Sequence, residues 1–180
     1  MAMSLYTDKD IEDIVAYIDT LDGRGKHSGI NGNIEAGKSA YSVCVTCHGA
    51  NGEGNTALNS PKIAGLPDWY VERQLHNFKN GIRGVHPKDI YGQQMRPMAM
   101  ALASDQAIRD VTAYVSTLKG VSTSRPAGVK SSNVAAVVTS PVSEPLYAPC
   151  ASCHGSDGEG NQKLGAPRLA GQPDWYVERQ

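Results

Sequence analysis

A duplicated block of sequence constrains this chain more than any other feature. Cys44 to Asn55 reads CVTCHGANGEGN and Cys150 to Asn161 reads CASCHGSDGEGN, while the octapeptide PDWYVERQ occurs at Pro67 to Gln74 and again at Pro173 to Gln180. Both pairs of copies lie 106 residues apart (150 − 44 and 173 − 67). A constant offset indicates a repeated structural unit, so the chain should contain one fold at least twice.

A shorter match places part of a third copy at the start of the chain. Residues 1–21 match residues 98–118 at an offset of 97 (98 − 1). The chain would then begin late in one repeat and end early in another. Because isolated half-repeats cannot bury their apolar faces, we expect a fragment of a longer protein with at least three repeats. The alternative is a short protein with a degenerate N-terminal helix.

These matches divide the chain into four parts. Residues 1–22 would be the C-terminal helix of a truncated repeat, residues 31–120 a complete domain, and residues 143–180 the N-terminal part of a further domain. Residues 121–142 are rich in Ser, Val and Pro and are predicted to be a linker.

Hydrophobic periodicity predicts helices. Ser104 is a capping residue ahead of an apolar stripe that recurs at helical spacing as far as Leu118. Thr7 and Asp10 resemble a capping box ahead of a similar stripe in the first repeat. Two further helices are predicted, at residues 34–47 and 68–80. No segment of useful length alternates with the period of a strand, so the predicted fold class is all-α.

The third repeat departs from this pattern in the residues that precede its C-x-x-C-H motif. Pro141, Pro145 and Pro149 stand where the complete repeat has a helix leading into Cys44. Since proline removes a helical hydrogen bond and clashes with the preceding turn, this helix is expected to be short or broken.

All four cysteines belong to two copies of a C-x-x-C-H motif. The copies are Cys44, Cys47 and His48, and Cys150, Cys153 and His154. On a helical turn, thiols at i and i+3 point to one side, where they can add to the two vinyl groups of haem while the adjacent histidine is held under the iron. We therefore predict haem c at both motifs, with His48 and His154 as iron ligands.

Three other interpretations of the cysteines were weighed. A thioredoxin-like dithiol usually sits in a βαβ context, which the pattern lacks. A zinc site built from both cysteine pairs would leave two identically placed histidines unexplained. A simple disulfide is the third alternative.

A six-coordinate haem needs a second axial ligand, and a thioether favours the reduced iron. Met95, Met98 and Met100 are the candidates, and His27, His76 and His86 are the alternatives for bis-histidine ligation.

The chain resembles class I c-type cytochromes, especially the tandem two-haem and three-haem cytochromes of bacterial periplasms. The resemblance rests on both C-x-x-C-H motifs and on Met95 to Leu102, MRPMAMAL, which fits the family pattern Met-x-x-(Met/Phe)-x-x-x-Leu. It implies tandem class I domains, one complete and two partial, with Met95 as axial ligand on a loop before the C-terminal helix. By the same resemblance, the carbonyls of Pro61 and Pro167 accept a hydrogen bond from the axial histidines. The methionine of the last repeat would lie beyond Gln180.

Function follows from these expectations. With two protein ligands the iron has no vacant site, so we expect electron transfer rather than catalysis. The alternatives are the cytochrome portion of a membrane-associated terminal oxidase or periplasmic dehydrogenase complex, and peroxidase activity at one haem. Seventeen basic against eighteen acidic side chains argue against a nucleic-acid partner, and no apolar run approaches the roughly 20 residues of a membrane span.

The expected partners are redox proteins: a quinol-oxidising complex, a dehydrogenase or a terminal oxidase. Thioether attachment of haem takes place outside the cytoplasmic membrane, so the expected location is a bacterial periplasm, either free or anchored through parts outside these residues.

Overall fold

The computed structural model describes residues 7–21, 23, 29–119 and 143–180. These residues form helices and loops, and their only β-type pairing is two isolated β-bridges. The predicted all-α class is therefore confirmed for the described residues. The linker predicted at 121–142 and the alternative ligand His27 lie outside them. The helices are α1 (Asp8–Asp19), α2 (Ile34–Tyr41), α3 (Val45–His48), α4 (Asp68–Lys79), α5 (Ile90–Met100), α6 (Asp105–Thr117), α7 (Ser143–His154) and α8 (Asp174–Arg179).

The described residues fall into two compact units. The central unit lies between Lys26 and Val121, and the terminal unit combines the residues up to Gly25 with those from Ser122 onward. The two ends of the chain therefore contribute to one unit.

The core of the central unit forms where α6 packs against α2 and α4. Side chains from these helices and from the turn after α5 form one buried cluster: Tyr41, Val71, Leu102, Ile108, Val111 and Val115. Ser104 caps α6 through a hydrogen bond from the Ala107 amide, at 3.1 Å, as predicted. The apolar stripe of α6 is thus the face that the remaining helices cover.

The helix predicted at residues 34–47 is divided in the structure. It ends at Tyr41, and α3 begins at Val45. Between the two helices the backbone hydrogen bonds join residues that are three apart instead of four. The Cys44 amide donates to the Tyr41 carbonyl at 2.8 Å, and the Ser42 amide donates to the Ser39 carbonyl at 3.3 Å. Bonds of this i to i−3 type narrow the turn, so the cysteine motif occupies a short helix of its own.

The terminal unit is built by α1 packing against α7 and α8. The predicted capping box is present, with Thr7 and Asp10 bonded reciprocally. Ile14, Val15 and Ile18 of α1 are buried against Tyr147 of α7. The apolar face of α1 is therefore covered by the segment that carries the second motif.

Within the terminal unit α1 has the role that α6 has in the central unit. The rings of Tyr17 and Tyr147 lie 5.4 Å apart, and those of Tyr114 and Tyr41 lie 5.2 Å apart. The side chain of Leu21 lies against Gly158 just as that of Leu118 lies against Gly52. The two partial repeats thus supply complementary parts of one fold.

The expectation of a short or broken first helix in the last repeat is wrong. Helix α7 runs without interruption from Ser143 to His154 and contains Pro149. Pro145 lies in its first turn, where amide groups have no helical partner and proline is tolerated. Pro149 then removes one further bond, the one to the Pro145 carbonyl, and the packing of Tyr147 and Leu146 against α1 holds the helix together.

Replacing Ile14 with alanine tests whether α1 belongs to the terminal unit. Loss of a buried isoleucine costs about 2–5 kcal/mol, so amide hydrogen exchange should accelerate in α7 of the haem-loaded chain. Exchange in α6 should be unchanged. The exposed Glu12, replaced by alanine, is the matched control on α1. Equal exchange of α7 in the Ile14→Ala and Glu12→Ala variants would contradict the packing described.

Candidate functional site

The first C-x-x-C-H motif forms a helical turn. The amides of Cys47 and His48 both donate to the Cys44 carbonyl, at 3.2 and 2.9 Å. This geometry places the two thiols on one side of the turn. All four cysteines of the chain are free and partly buried, so in both motifs the thiols are present and unpaired.

The first cysteine of each motif borders the core of its unit. Cys44 packs against the central cluster and Cys150 against the terminal one. Burial raises the pKa of the Cys44 thiol to about 11, and burial also raises the pKa of Cys150. Both groups are therefore protonated at neutral pH and contribute apolar surface beside the core.

Each motif histidine is oriented by a proline carbonyl. Nδ1 of His48 lies 2.9 Å from the Pro61 oxygen, and Nδ1 of His154 lies 2.7 Å from the Pro167 oxygen. A carbonyl oxygen can only accept, so Nδ1 must carry the proton and Nε2 is left with the lone pair that a metal ligand needs. The structure thus brings together the two histidine and proline pairs that the resemblance implied.

The environment of His48 favours its neutral form. The side chain is buried, and burial lowers its pKa, against an opposing effect of the bond to Pro61. Because only the neutral imidazole can donate a lone pair, burial keeps His48 in the form that binds a metal.

A glycine lets the loop bring the proline carbonyl to the histidine. Gly54 has a φ of 84°, its amide donates to the His48 carbonyl at 2.8 Å, and it lies against the backbone of Ser60 to Lys62. A Cβ at Gly54 would come within 2.8 Å of the Pro61 carbonyl carbon. Gly160 is equivalent in the terminal unit, with a φ of 85°. These positions require glycine for both conformation and space.

Two tyrosines that the sequence interpretation missed hold the residue after each histidine. The hydroxyl of Tyr41 donates to the Gly49 carbonyl and that of Tyr147 donates to the Gly155 carbonyl, both at 2.8 Å. Both rings are only 2% exposed. Their positions differ by the repeat offset (147 − 41), so comparing buried polar residues between the copies could have found them.

Met95 lies within α5 rather than on the loop that the resemblance implied. Asp89 caps this helix, with its carboxylate accepting from the Gly92 amide at 2.9 Å and from the Gly84 amide at 3.1 Å. Pro97 lies inside the helix and removes only one amide donor, so the helix continues to Met100. Met95 is partly buried, whereas Met98 and Met100 are exposed.

The alternative histidines have other surroundings. Nδ1 of His76 lies 3.9 Å from a carboxylate oxygen of Asp105, and Nδ1 of the exposed His86 accepts from the Lys88 amide at 3.2 Å.

The residues present fit haem c in both units. Each unit offers two free thiols on one turn and a neighbouring imidazole with its Nε2 available, which is the donor set that covalent attachment and axial ligation require. Among the described residues, no helix has both the length and the apolar character needed to cross a bilayer.

Comparison with known proteins finds a match to the cytochrome c family model over residues 34–119 and 144–180. Cytochrome c4 of Stutzerimonas stutzeri is 34% identical over 152 residues, which cover 83% of this chain and 70% of that protein. A thiosulfate dehydrogenase electron acceptor of Thiomonas intermedia is 32% identical, over 76% of this chain and 60% of that protein.

A solved structure shares the fold. The crystal structure of reduced recombinant cytochrome c4 from Pseudomonas stutzeri matches with a TM-score of 0.56 and 32% sequence identity, covering 81% of this chain and 76% of that one.

Removing the Tyr41 hydroxyl should loosen the first motif. The Tyr41→Phe change removes the shorter of two hydrogen bonds to the Gly49 carbonyl, which keeps the bond from the Gly52 amide at 3.3 Å, and the net contribution of one such bond is about 0.5–1.5 kcal/mol. Amide hydrogen exchange in α3 should accelerate by the factor that corresponds to this loss of free energy. Tyr114→Phe is the control, because it also removes a hydroxyl but keeps the ring that packs on Tyr41. If both variants exchanged alike, the bond to Gly49 would have no role in holding the motif.

Proposed function

The chain belongs to the cytochrome c family, and from that premise we propose that it passes single electrons between redox proteins through haem iron ligated by His48 and Met95 in the central unit and by His154 in the terminal unit. The carrying of electrons by covalently bound haem c is common to the family. The ligand set, the assignment of units and the partners are our proposals.

The duplicated constellation around each motif carries this proposal. In each unit the same five groups recur: two thiols, an imidazole, a proline carbonyl and a tyrosine hydroxyl. A histidine fixed through Nδ1 is the usual arrangement of a metal ligand, and the bond raises its basicity. We propose that residues 31–120 form one haem domain and that residues 1–22 and 143–180 together supply the second, joined through 121–142.

When bound, haem c supplies an iron that changes oxidation state by one electron. The residues of the chain hold and tune it. The cysteines fix its edge through thioether bonds, and Pro61 keeps the His48 ring in one orientation and one tautomer. The core behind Cys44 and Tyr41 excludes water from that side. The geometry of a site held in this way changes little when the iron gains or loses an electron. A small structural change favours rapid electron exchange.

Met95 completes the proposed ligand set of the central unit. It lies on a helix that Asp89 ties to the preceding loop. Of the three methionines of α5, Met95 is partly buried and the other two are exposed. With a thioether and an imidazole as ligands the iron has no open position for a substrate, so electron transfer is favoured over catalysis.

The proposed partners are a quinol-oxidising complex, a dehydrogenase or a terminal oxidase, and the proposed location is the bacterial periplasm. Similarity to the thiosulfate dehydrogenase electron acceptor favours a second, narrower candidate, in which the chain accepts electrons from a periplasmic dehydrogenase.

Replacing Met95 with alanine tests the ligand assignment. The change should remove the central haem's share of the sulfur-to-iron charge-transfer band in the ferric spectrum and lower its reduction potential, because a thioether favours the ferrous iron. Met98→Ala is the matched control, since Met98 lies on the same helix but is 40% exposed. Loss of the band in Met98→Ala, with the band kept in Met95→Ala, would move the ligand to Met98.

A further inference from the structure

A glutamate lies against the residue that follows each motif histidine. In the central unit, a Cβ added to Gly49 would collide with the carboxylate of Glu53. In the terminal unit, a Cβ added to Gly155 would collide with the carboxylate of Glu159. The two glutamates are separated by the repeat offset (159 − 53). The same contact in both units indicates that the carboxylate has a role at the motif.

The glycine after each histidine leaves room for this carboxylate. Gly49 has a φ of 81° and a ψ of 161°, and backbone with these dihedral angles is essentially restricted to glycine. Gly155 has a φ of 83°. A side chain at either position would be excluded both by the positive φ and by the glutamate. The carboxylate therefore occupies the space in which a side chain would otherwise lie.

A hydrogen bond holds each carboxylate in this place. The Asn51 amide donates to Oε2 of Glu53 at 2.8 Å, and the Asp157 amide donates to Oε2 of Glu159 at 3.1 Å. An ionised acceptor makes such a bond stronger than a neutral acceptor would. Both glutamates are partly buried, and neither takes part in an ion pair within the described ranges. The negative charge is therefore fixed in position, with no described cation paired to it.

The charge of each glutamate acts across the glycine. Burial is the main cause that raises the pKa of Tyr41, and the charges of Cys44 and Glu53 raise it further. The pKa of Tyr147 is also raised by burial first, with Glu159 among the further causes. Each tyrosine hydroxyl binds the carbonyl of the glycine that the glutamate contacts. The electrostatic effect of the carboxylate therefore reaches the backbone beside the motif histidine.

We propose that Glu53 and Glu159 hold the residue after each axial histidine and, through their charge, lower the reduction potential of the haem in their own unit. This inference rests on the proposed function, because it requires haem iron bound to His48 and His154. Ferric haem carries one more positive charge than ferrous haem, so a fixed negative charge nearby stabilises the ferric form. Partial burial limits the screening of this interaction by salt.

Potentiometric titration of the haem-loaded chain tests the proposal. Glu53→Gln removes the charge but keeps an oxygen that can accept from the Asn51 amide, so the central potential should rise while the terminal potential stays unchanged. Glu159→Gln should raise the terminal potential alone. Glu35→Gln is the matched control, because it removes the same charge from an exposed position on α2. If Glu53→Gln moved the central potential no more than Glu35→Gln does, the proposal would be overturned.

Two further variants separate the effect of charge from that of structure. Glu53→Asp keeps the charge but withdraws it by one methylene, so the central potential should stay closer to the wild-type value than in Glu53→Gln. Glu53→Ala removes both charge and acceptor, so amide hydrogen exchange at Asn51 should accelerate as well. A potential that changed in Glu53→Ala but not in Glu53→Gln would leave a structural role alone and overturn the proposal.

The second unit and the wild type complete the test. If the Glu53 variants failed to fold, an unchanged terminal potential in Glu159→Gln would still overturn the proposal. An unchanged potential in Glu53→Gln, with haem attached and the Met95 charge-transfer band present, would overturn this inference and leave the proposed function intact. A wild-type chain without haem on Cys44 and Cys47 would overturn the proposed function, and this inference with it.

Discussion

The hydrogen bond between each motif histidine and a proline carbonyl is the contact on which the rest of each unit depends. It fixes the proton on Nδ1, directs Nε2 to the site, and is present in both units at 2.9 and 2.7 Å. Gly54 and Gly160 allow the loop to close, and the bridges between Asn55 and Ser60 and between Asn161 and Ala166 hold it closed. The tyrosine hydroxyl then secures the backbone on the other side of the histidine.

The terminal unit shows that this arrangement does not require a continuous stretch of chain. Helix α1 comes from the beginning of the sequence, and α7 with its motif comes from the end. Their buried contacts repeat those of α6 with α2, including the pair of tyrosine rings. Because every half-repeat has an apolar face that must be covered, two complementary halves can complete one another, and the second motif gains the same support as the first.

Much of this could be predicted from the sequence, since local signals decide it. The Thr7 and Asp10 capping box, the Ser104 cap and the helix from Asp68 follow from short-range bonding and periodicity, and the motifs follow from cysteine spacing. The pairing of α1 with α7 could not be predicted, because periodicity identifies an apolar face without identifying what covers it. The continuity of α7 through Pro149 depends on that same tertiary packing. The location of Met95 within a helix depends on the Asp89 cap and on its bonds to Gly84, which family resemblance did not reveal.

The central claim is that both units hold haem c, and intact mass spectrometry of the chain produced with cytochrome c maturation tests it most directly. The account predicts a mass increased by two haem groups. After digestion, one haem should remain on the peptide with Cys44 and Cys47 and the other on the peptide with Cys150 and Cys153. A chain whose four thiols all react with an alkylating reagent, or one that carries haem on the first peptide alone, would contradict it.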